Sequence, residues 1–236
     1  NEMWIRQDWL DKLGLEVPRT WDEMAAVAEA FVTQDPDGNG EADTIGILGP
    51  GNSNHINDIG DNQFGLDPLF CSFQSYPQYW LQDEDGTVKY GSIQPETRVA
   101  LEKIQKLYTD KLIDPEMLVR SNCQEAVLSG KVGIFFGPWW SGYTVSDATL
   151  AGEADWRAYF TPLSEDGNYY THMPDPTSKY VVVSKSCKNP EAAIKIINYL
   201  ITYEKDWTAD GTGAKLDSPS LYPLWNGYDN ADEIEV

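Results

Sequence analysis

Histidine, cysteine and basic side chains are all scarce in this chain. Its two histidines, His55 and His172, lack any neighbouring ligand pattern, so a zinc site is not expected. Cys71, Cys123 and Cys187 are scattered without CxxC spacing, and an odd number cannot pair fully within one chain, which argues against a disulfide framework. The 17 Lys and Arg face 38 Asp and Glu, a formal net charge of −21. Phosphate binding needs clustered cations, so no nucleic-acid partner is expected, and an anionic membrane surface is disfavoured for the same reason. No apolar run approaches the roughly 20 residues of a membrane-spanning helix, so no direct membrane insertion is expected either.

What remains is globular composition. Of 236 residues, 41% are hydrophobic and 23% charged, enough for one large domain or two modest lobes. Nine Trp and thirteen Tyr are many for this length. Most should fill cores, leaving a minority as flat binding platforms.

The order of elements is α/β. "MWIRQDW" suits a strand running into a short helix that stops at Gly14. In "RTWDEMAAVAEAFVTQ", Thr20 and Glu23 form a capping box, and Trp21, Met24, Ala25, Ala28, Phe31 and Val32 recur on one helical face. "TIGIL" reads as a short strand, and "QYWLQDEDGTVKY" as a hairpin turning at Asp85-Gly86. A second helix follows Pro95, with Ala100, Leu101, Ile104, Leu107, Tyr108 and Leu112 on its apolar face. A short helix stops near Gly130, and "KVGIFFG" is a strand of buried type. Later come a strand at "RAYFTPL", a β-branched strand over 179–186 and a helix over 190–203, with Asn189 as its N-cap. Alternation of this kind predicts a largely parallel sheet covered by helices.

Two stretches interrupt the scaffold. The first is "DPDGNGEAD", directly after the capped helix. Calcium takes six to eight oxygens, supplied in a twelve-residue loop from positions 1, 3, 5, 7 and 9. Those positions are Asp35, Asp37, Asn39, the Glu41 backbone carbonyl and Asp43, with Gly40 at the sharp turn of position 6. Position 12 is Gly46 rather than a bidentate Glu. Without a second such loop, the expected role is a structural calcium clip, not a sensor.

The second stretch is "GIFFGPWW". Gly137-Pro138 ends the buried strand, and Trp139 and Trp140 leave the sheet at its carboxyl edge, where ligands of open α/β sheets collect. An indole face suits the C–H face of a sugar ring.

With "MWIRQDWLDKLGL", "VPRTWDEM" and "YVVVSKSCKNPEAAIKIINYL" in the same order, the chain resembles bacterial extracellular solute-binding proteins of carbohydrate ABC transporters, most of all the Gram-positive lipoprotein type. The acidic loop resembles the calcium loop of alginate-oligosaccharide-binding members, which commonly carry Glu where this chain has Thr44. The resemblance implies a periplasmic-binding-protein-like (type II) α/β fold with two lobes closing on an oligosaccharide. Residues 1–175 would then form most of the C-terminal lobe and residues 176–236 a returning segment of the other, whose first half would precede this chain. It also implies a sugar stacked on Trp139. Trp140 beside it is a second aromatic candidate, and Asn54 and Gln63 are candidate polar cleft groups by position alone. It implies membrane permease subunits as partners, and an extracellular lipoprotein, or periplasmic, location. No catalysis is expected. A glycoside-active enzyme would need paired carboxylates flanking a cleft, and a calcium-dependent adhesion or scaffold module would bind protein through the acidic loop.

Overall fold

The computed structural model describes residues 1–51, 63–160, 163–172 and 180–199. They fall in two units, divided between Pro174 and Asp175.

The first unit is built on a four-stranded sheet of order β2-β5-β1-β6, formed by β1 (Glu2–Arg6), β2 (Ile45–Ile47), β5 (Val132–Gly137) and β6 (Trp156–Tyr159). Strand β5 is buried along its whole length, as its unbroken apolar run requires. It pairs in parallel with β2, Ile47 opposite Ile134. Strand β1 differs from the parallel expectation: it lies antiparallel between β5 and β6, with Trp4 opposite Phe135 and Ala158. Three strands therefore share a direction and β1 opposes them. Local pattern cannot reveal this, because β1 reads as a buried strand in either orientation.

The alternation of β1 separates two cores. Met3 and Ile5 pack with α1 (Gln7–Leu13), α2 (Trp21–Thr33), α3 (Asp67–Cys71) and α4 (Pro95–Thr109) through Trp9, Leu10, Met24, Phe31, Leu69 and Ile104. Trp4 on the opposite face joins Phe135, Trp156 and Phe64 against α5 (Cys123–Leu128) and α6 (Gly142–Leu150). The sheet is thus covered on both sides, a three-layer α/β/α arrangement.

Local signals explain most element ends. Thr20 accepts from the Glu23 N–H and the Glu23 carboxylate accepts from the Thr20 N–H, the predicted capping box. Helix α1 ends at Gly14 in the left-handed conformation. Strands β3 (Trp80–Gln82) and β4 (Val88–Tyr90) form the expected hairpin. Two details differ. Leu101, placed by periodicity on the α4 core face, is exposed. Thr97 is buried instead, because its Oγ1 donates to the Gly91 carbonyl at 2.8 Å and meets Ser75 Oγ at 2.6 Å.

In the second unit, residues 191–199 are helical as expected. The expected strand over 179–186 does not form among the described residues: 180–184 have no regular structure, and Tyr180, Val181 and Val182 are exposed. A β-branched run specifies a strand only where another strand offers hydrogen bonds, and none among the described residues does.

Candidate functional site

Strand β5 delivers the aromatic pair. Pro138 follows it in extended backbone, and Trp139–Ser141 form a single 3-10 turn leading straight into α6. The turn closes tightly on the strand: a Cβ on Gly137 would lie 2.3 Å from Ser141 Oγ. Trp139 is consequently thrown outward and is 56% exposed. Trp140 is half-buried. The two expected aromatics therefore differ in standing: Trp139 is largely exposed, while Trp140 is partly covered.

Tyr143 was not anticipated from sequence. It is 74% exposed on the first turn of α6, and its ring lies edge-on to Trp139, centroids 6.1 Å apart and planes inclined by 68°. The signal was its spacing, since residues four apart meet on one helical face. Gln63 Nε2 donates to Thr144 Oγ1 at 3.0 Å, which brings the Gln63 amide to the α6 first turn. Asn54 lies outside the described residues. Glycine 142 packs against Trp4, and buried Val145 anchors α6 to the core beneath. A cleft of about 1020 Å³ lies elsewhere in this unit, lined by Leu15, Val17, Arg19, Glu23, Tyr159 and Phe160.

The acidic loop has folded around its own side chains. Asp35 Oδ1 accepts the N–H of Gly38 at 3.0 Å and of Asn39 at 3.1 Å, while its Oδ2 accepts that of Gly40 at 3.2 Å. Gly40 has φ +82°, the left-handed turn expected at position 6. Asn39 Nδ2 donates to Asp37 Oδ2 at 2.9 Å and Asp43 Oδ1 at 3.1 Å, and Asn39 Oδ1 accepts the Glu41 N–H at 2.7 Å. The Asp35, Asp37, Asn39 and Asp43 side chains are thus bonded to one another or to the backbone they enclose.

Charge in the loop is balanced from two sides. Lys12 Nζ donates to the Pro36 carbonyl at 2.8 Å, and Lys131 Nζ lies 2.5 Å from Asp43 Oδ2. The Lys131 hydrogen bond holds the Asp43 carboxyl below its ordinary range. The Asp35–Asp37 contact separates that pair: it holds Asp35 low, whereas burial and then Asp35 itself push Asp37 up. Two carboxylates in contact are the electrostatic problem a divalent ion would relieve. The donors are hard oxygens of the kind calcium takes. Among the described residues, however, no three acidic, His or Cys side chains are drawn together as an ion-holding group. The Asn39 amide and the Lys131 ammonium hold the loop instead.

The end of the loop is committed to packing. Thr44, where an acidic ligand would extend the set, turns inward and donates to the Phe31 carbonyl at 2.6 Å. Gly46, the twelfth position, lies flush on its neighbours: a Cβ there would sit 2.7 Å from the Leu112 carbonyl and 2.9 Å from that of Ala28.

Among the described residues, the Cys71–His172 contact is not a reactive pair. Cys71 Sγ lies 3.7 Å from His172 Nδ1, but burial pushes the Cys71 thiol up to about 12 and the imidazole down, so both stay neutral. Burial likewise pushes Cys123 up to about 11.

The first unit is thus an α/β/α arrangement with an exposed indole, Trp139, at the carboxyl end of a buried strand. The chain belongs to the bacterial extracellular solute-binding proteins, whose family model matches residues 3–206. That family captures solutes and is not a class of catalysts. The chain is 31% identical over 135 residues to the polygalacturonan/rhamnogalacturonan-binding protein YtcQ of Bacillus subtilis (strain 168), covering 56% of this chain and 25% of that protein. It is 36% identical over 119 residues to the fructooligosaccharide ABC transporter substrate-binding protein FusA of Streptococcus pneumoniae serotype 4 (strain ATCC BAA-334 / TIGR4), covering 49% of this chain and 21% of FusA. The structure of S. pneumoniae FusA in complex with kestose superposes with a TM-score of 0.55 at 27% identity, over 70% of this chain and 32% of that one. The matches thus span about a fifth to a third of these relatives' lengths. No helix among the described residues is long and apolar enough to cross a membrane.

Proposed function

We propose that the protein is the substrate-binding component of an ABC importer, capturing an oligosaccharide by aromatic stacking and hydrogen bonds without chemical change. The carrying observation is Trp139, an indole 56% exposed at the carboxyl end of β5, in a chain of the solute-binding family. Trp139 is the primary stacking ring, Trp140 is a second aromatic contact, and Gln63 and Asn54 supply polar contacts to hydroxyls. Residues 1–175 make one lobe of a two-lobed, type II solute-binding protein, and residues from 176 belong to the other. Its partners are the permease subunits of the transporter, and its place is the outer cell surface, as a lipoprotein, or the periplasm. The relatives named for fructooligosaccharide and for polygalacturonan/rhamnogalacturonan support a carbohydrate ligand.

In this reading the acidic loop takes calcium through Asp35, Asp37, Asn39, Asp43 and the Glu41 carbonyl, as a clip between α2 and β2. Support comes from the spacing of these donors and from the Asp35–Asp37 contact. Water completes the coordination, because Thr44 and Gly46 are committed to the core.

Titration calorimetry with oligosaccharides, paired with recovery of the sugar, tests the transport reading. The expected result is saturable binding, weakened at least tenfold by Trp139→Ala, and sugar recovered intact. New reducing ends, or binding indifferent to Trp139→Ala, would overturn it.

A further inference from the structure

Consecutive aromatic rings on a sugar-binding surface constrain the shape of the ligand as well as its polarity. Each ring offers one free π face, and one sugar ring can lie flat on only one such face. When two aromatics are coplanar, they suit a ribbon-like glycan whose successive rings keep their faces parallel. When they are inclined, the successive sugar rings that cover them must be inclined too.

Trp139 and Tyr143 are inclined by 68°, with centroids 6.1 Å apart, close enough for adjoining sugar rings to cover them in turn. Both are exposed, Tyr143 at 74%. Their relative angle has firm supports. Trp139 sits on a 3-10 turn that Gly137 and Ser141 pack shut, and Tyr143 sits on the first turn of α6, which Val145 fixes to the core. The two rings also contact each other edge to face, an arrangement aromatic pairs favour. Beside them, the Gln63–Thr144 hydrogen bond places an amide and a hydroxyl at the same turn, where ring hydroxyls of a bound sugar would need partners.

We infer that Trp139 and Tyr143 form an angular aromatic corner that selects oligosaccharides with a turn at the glycosidic linkage over flat, ribbon-like ones, with Tyr143 as the specificity-determining residue. This rests on the sugar-binding reading above and adds the shape of the ligand to it. Tyr143 stacks the second ring, so it acts on chains of two or more sugars and leaves a single sugar on Trp139 unaffected.

The test compares size-matched trisaccharides: maltotriose and kestose, whose linkages turn, and cellotriose, whose rings form a ribbon. Titration calorimetry is run on the wild type, Tyr143→Ala, Tyr143→Phe and Trp139→Ala. The wild type is expected to prefer at least one turned trisaccharide to cellotriose by about tenfold. Tyr143→Ala should erase that preference by weakening the turned ligand, and Tyr143→Phe, which keeps the ring, should retain it. Trp139→Ala should weaken every ligand. The corner is overturned, and the transport reading stands, if Tyr143→Ala leaves the preference intact, if Tyr143→Phe loses it, or if cellotriose binds as well as the turned sugars. Both are overturned if no saccharide binds the wild type or if Trp139→Ala changes nothing.

Discussion

Replacing Arg6 by Ala should unravel the joint on which the sheet turns. Arg6 closes β1 and is only 5% exposed. Its Nε donates to Asp8 Oδ1 at 2.8 Å and its Nη2 to Asp8 Oδ2 at 2.6 Å, a two-pronged pair. Its Nη1 donates to the Gly130 carbonyl at 3.2 Å. The guanidinium carbon lies 4.5 Å from the Trp9 ring centroid and 5.9 Å from that of Trp156. Asp8 in turn accepts the Asp155 N–H at 3.2 Å, so one cation ties β1, α1, the loop after α5 and the entry to β6. Breaking a fully buried pair costs about 3–5 kcal/mol. Asp8 keeps 35% of its side-chain exposure, so water would rescue part of its charge and the pair contributes roughly 2 kcal/mol here. Lost cation–π contact adds about 1 kcal/mol. A total near 3 kcal/mol corresponds to a fall in Tm of roughly 6–12 °C for a unit of this size. Arg6→Lys keeps the charge but loses the fork and the stacked plane, and should fall about half as far. The pH dependence has a definite sign. Burial pushes the Asp8 carboxyl up, but the Arg6 guanidinium and the backbone N–H groups, that of Asp155 among them, together outweigh it and hold Asp8 below its ordinary value. The stability from that shift is present above the ordinary carboxylate pKa and is lost as pH falls through the depressed folded value. The wild-type advantage should therefore be full at neutral pH and shrink in acid. Melts followed by circular dichroism from pH 7 downward, at fixed calcium, measure both. An Arg6→Ala melt within 2 °C of wild type at pH 7, or a gap that widens in acid, would refute the reasoning.

Gly46→Ala should destabilise by about 1–3 kcal/mol, because the new methyl would press on the Leu112 and Ala28 carbonyls, which are backbone and cannot step aside; an unchanged urea midpoint would contradict this. Chelation should lower the melting temperature and added calcium restore it, by an increment that grows with free calcium. Indifference to both would remove calcium from the account. Asp37→Asn should weaken the calcium response while raising stability in chelator slightly, since it ends the contest with Asp35.

The scaffold was legible wherever a local pattern carried its own termination signal. The Thr20–Glu23 box, Gly14, the Asp85-Gly86 turn and the unbroken apolar run of β5 each define an element without reference to the rest of the chain. What could not be read depends on distant partners. The antiparallel setting of β1 is decided by β5 and β6, more than a hundred residues away. Val181 and Val182 favour a strand, yet propensity alone supplies no ladder. The pairing of fully buried Asp114 with Arg120 is equally silent in "DPEMLVR", where a charged pair six apart reads as solvated. The aromatic site lies between these cases. Trp139 follows from the strand end, while Tyr143 needed only the fourfold spacing to be noticed.

The charge imbalance gives the acidic loop its final constraint. With 17 cations for 38 anions, a lysine spent on Asp43 is withheld from elsewhere, and its ion pair competes with any bound metal. Lys131 and Asp43 remain 45% and 31% exposed, so solvent screens their pair and it adds little to the metal-free fold. Against a divalent ion held by Asp43, the same ammonium is a neighbouring positive charge. A unit charge and a dication about 6 Å apart repel by roughly 1.4 kcal/mol in water, and that is tenfold in affinity. Lys131→Met should therefore bind calcium about tenfold more tightly, while its stability in chelator falls only slightly. The gain should fade as salt rises, because both charges are screened. Calcium titrations of the two proteins at low and high ionic strength decide it. Weaker calcium binding in Lys131→Met would mean that Lys131 organises the donors, and that the ammonium supports the loop instead of competing for it.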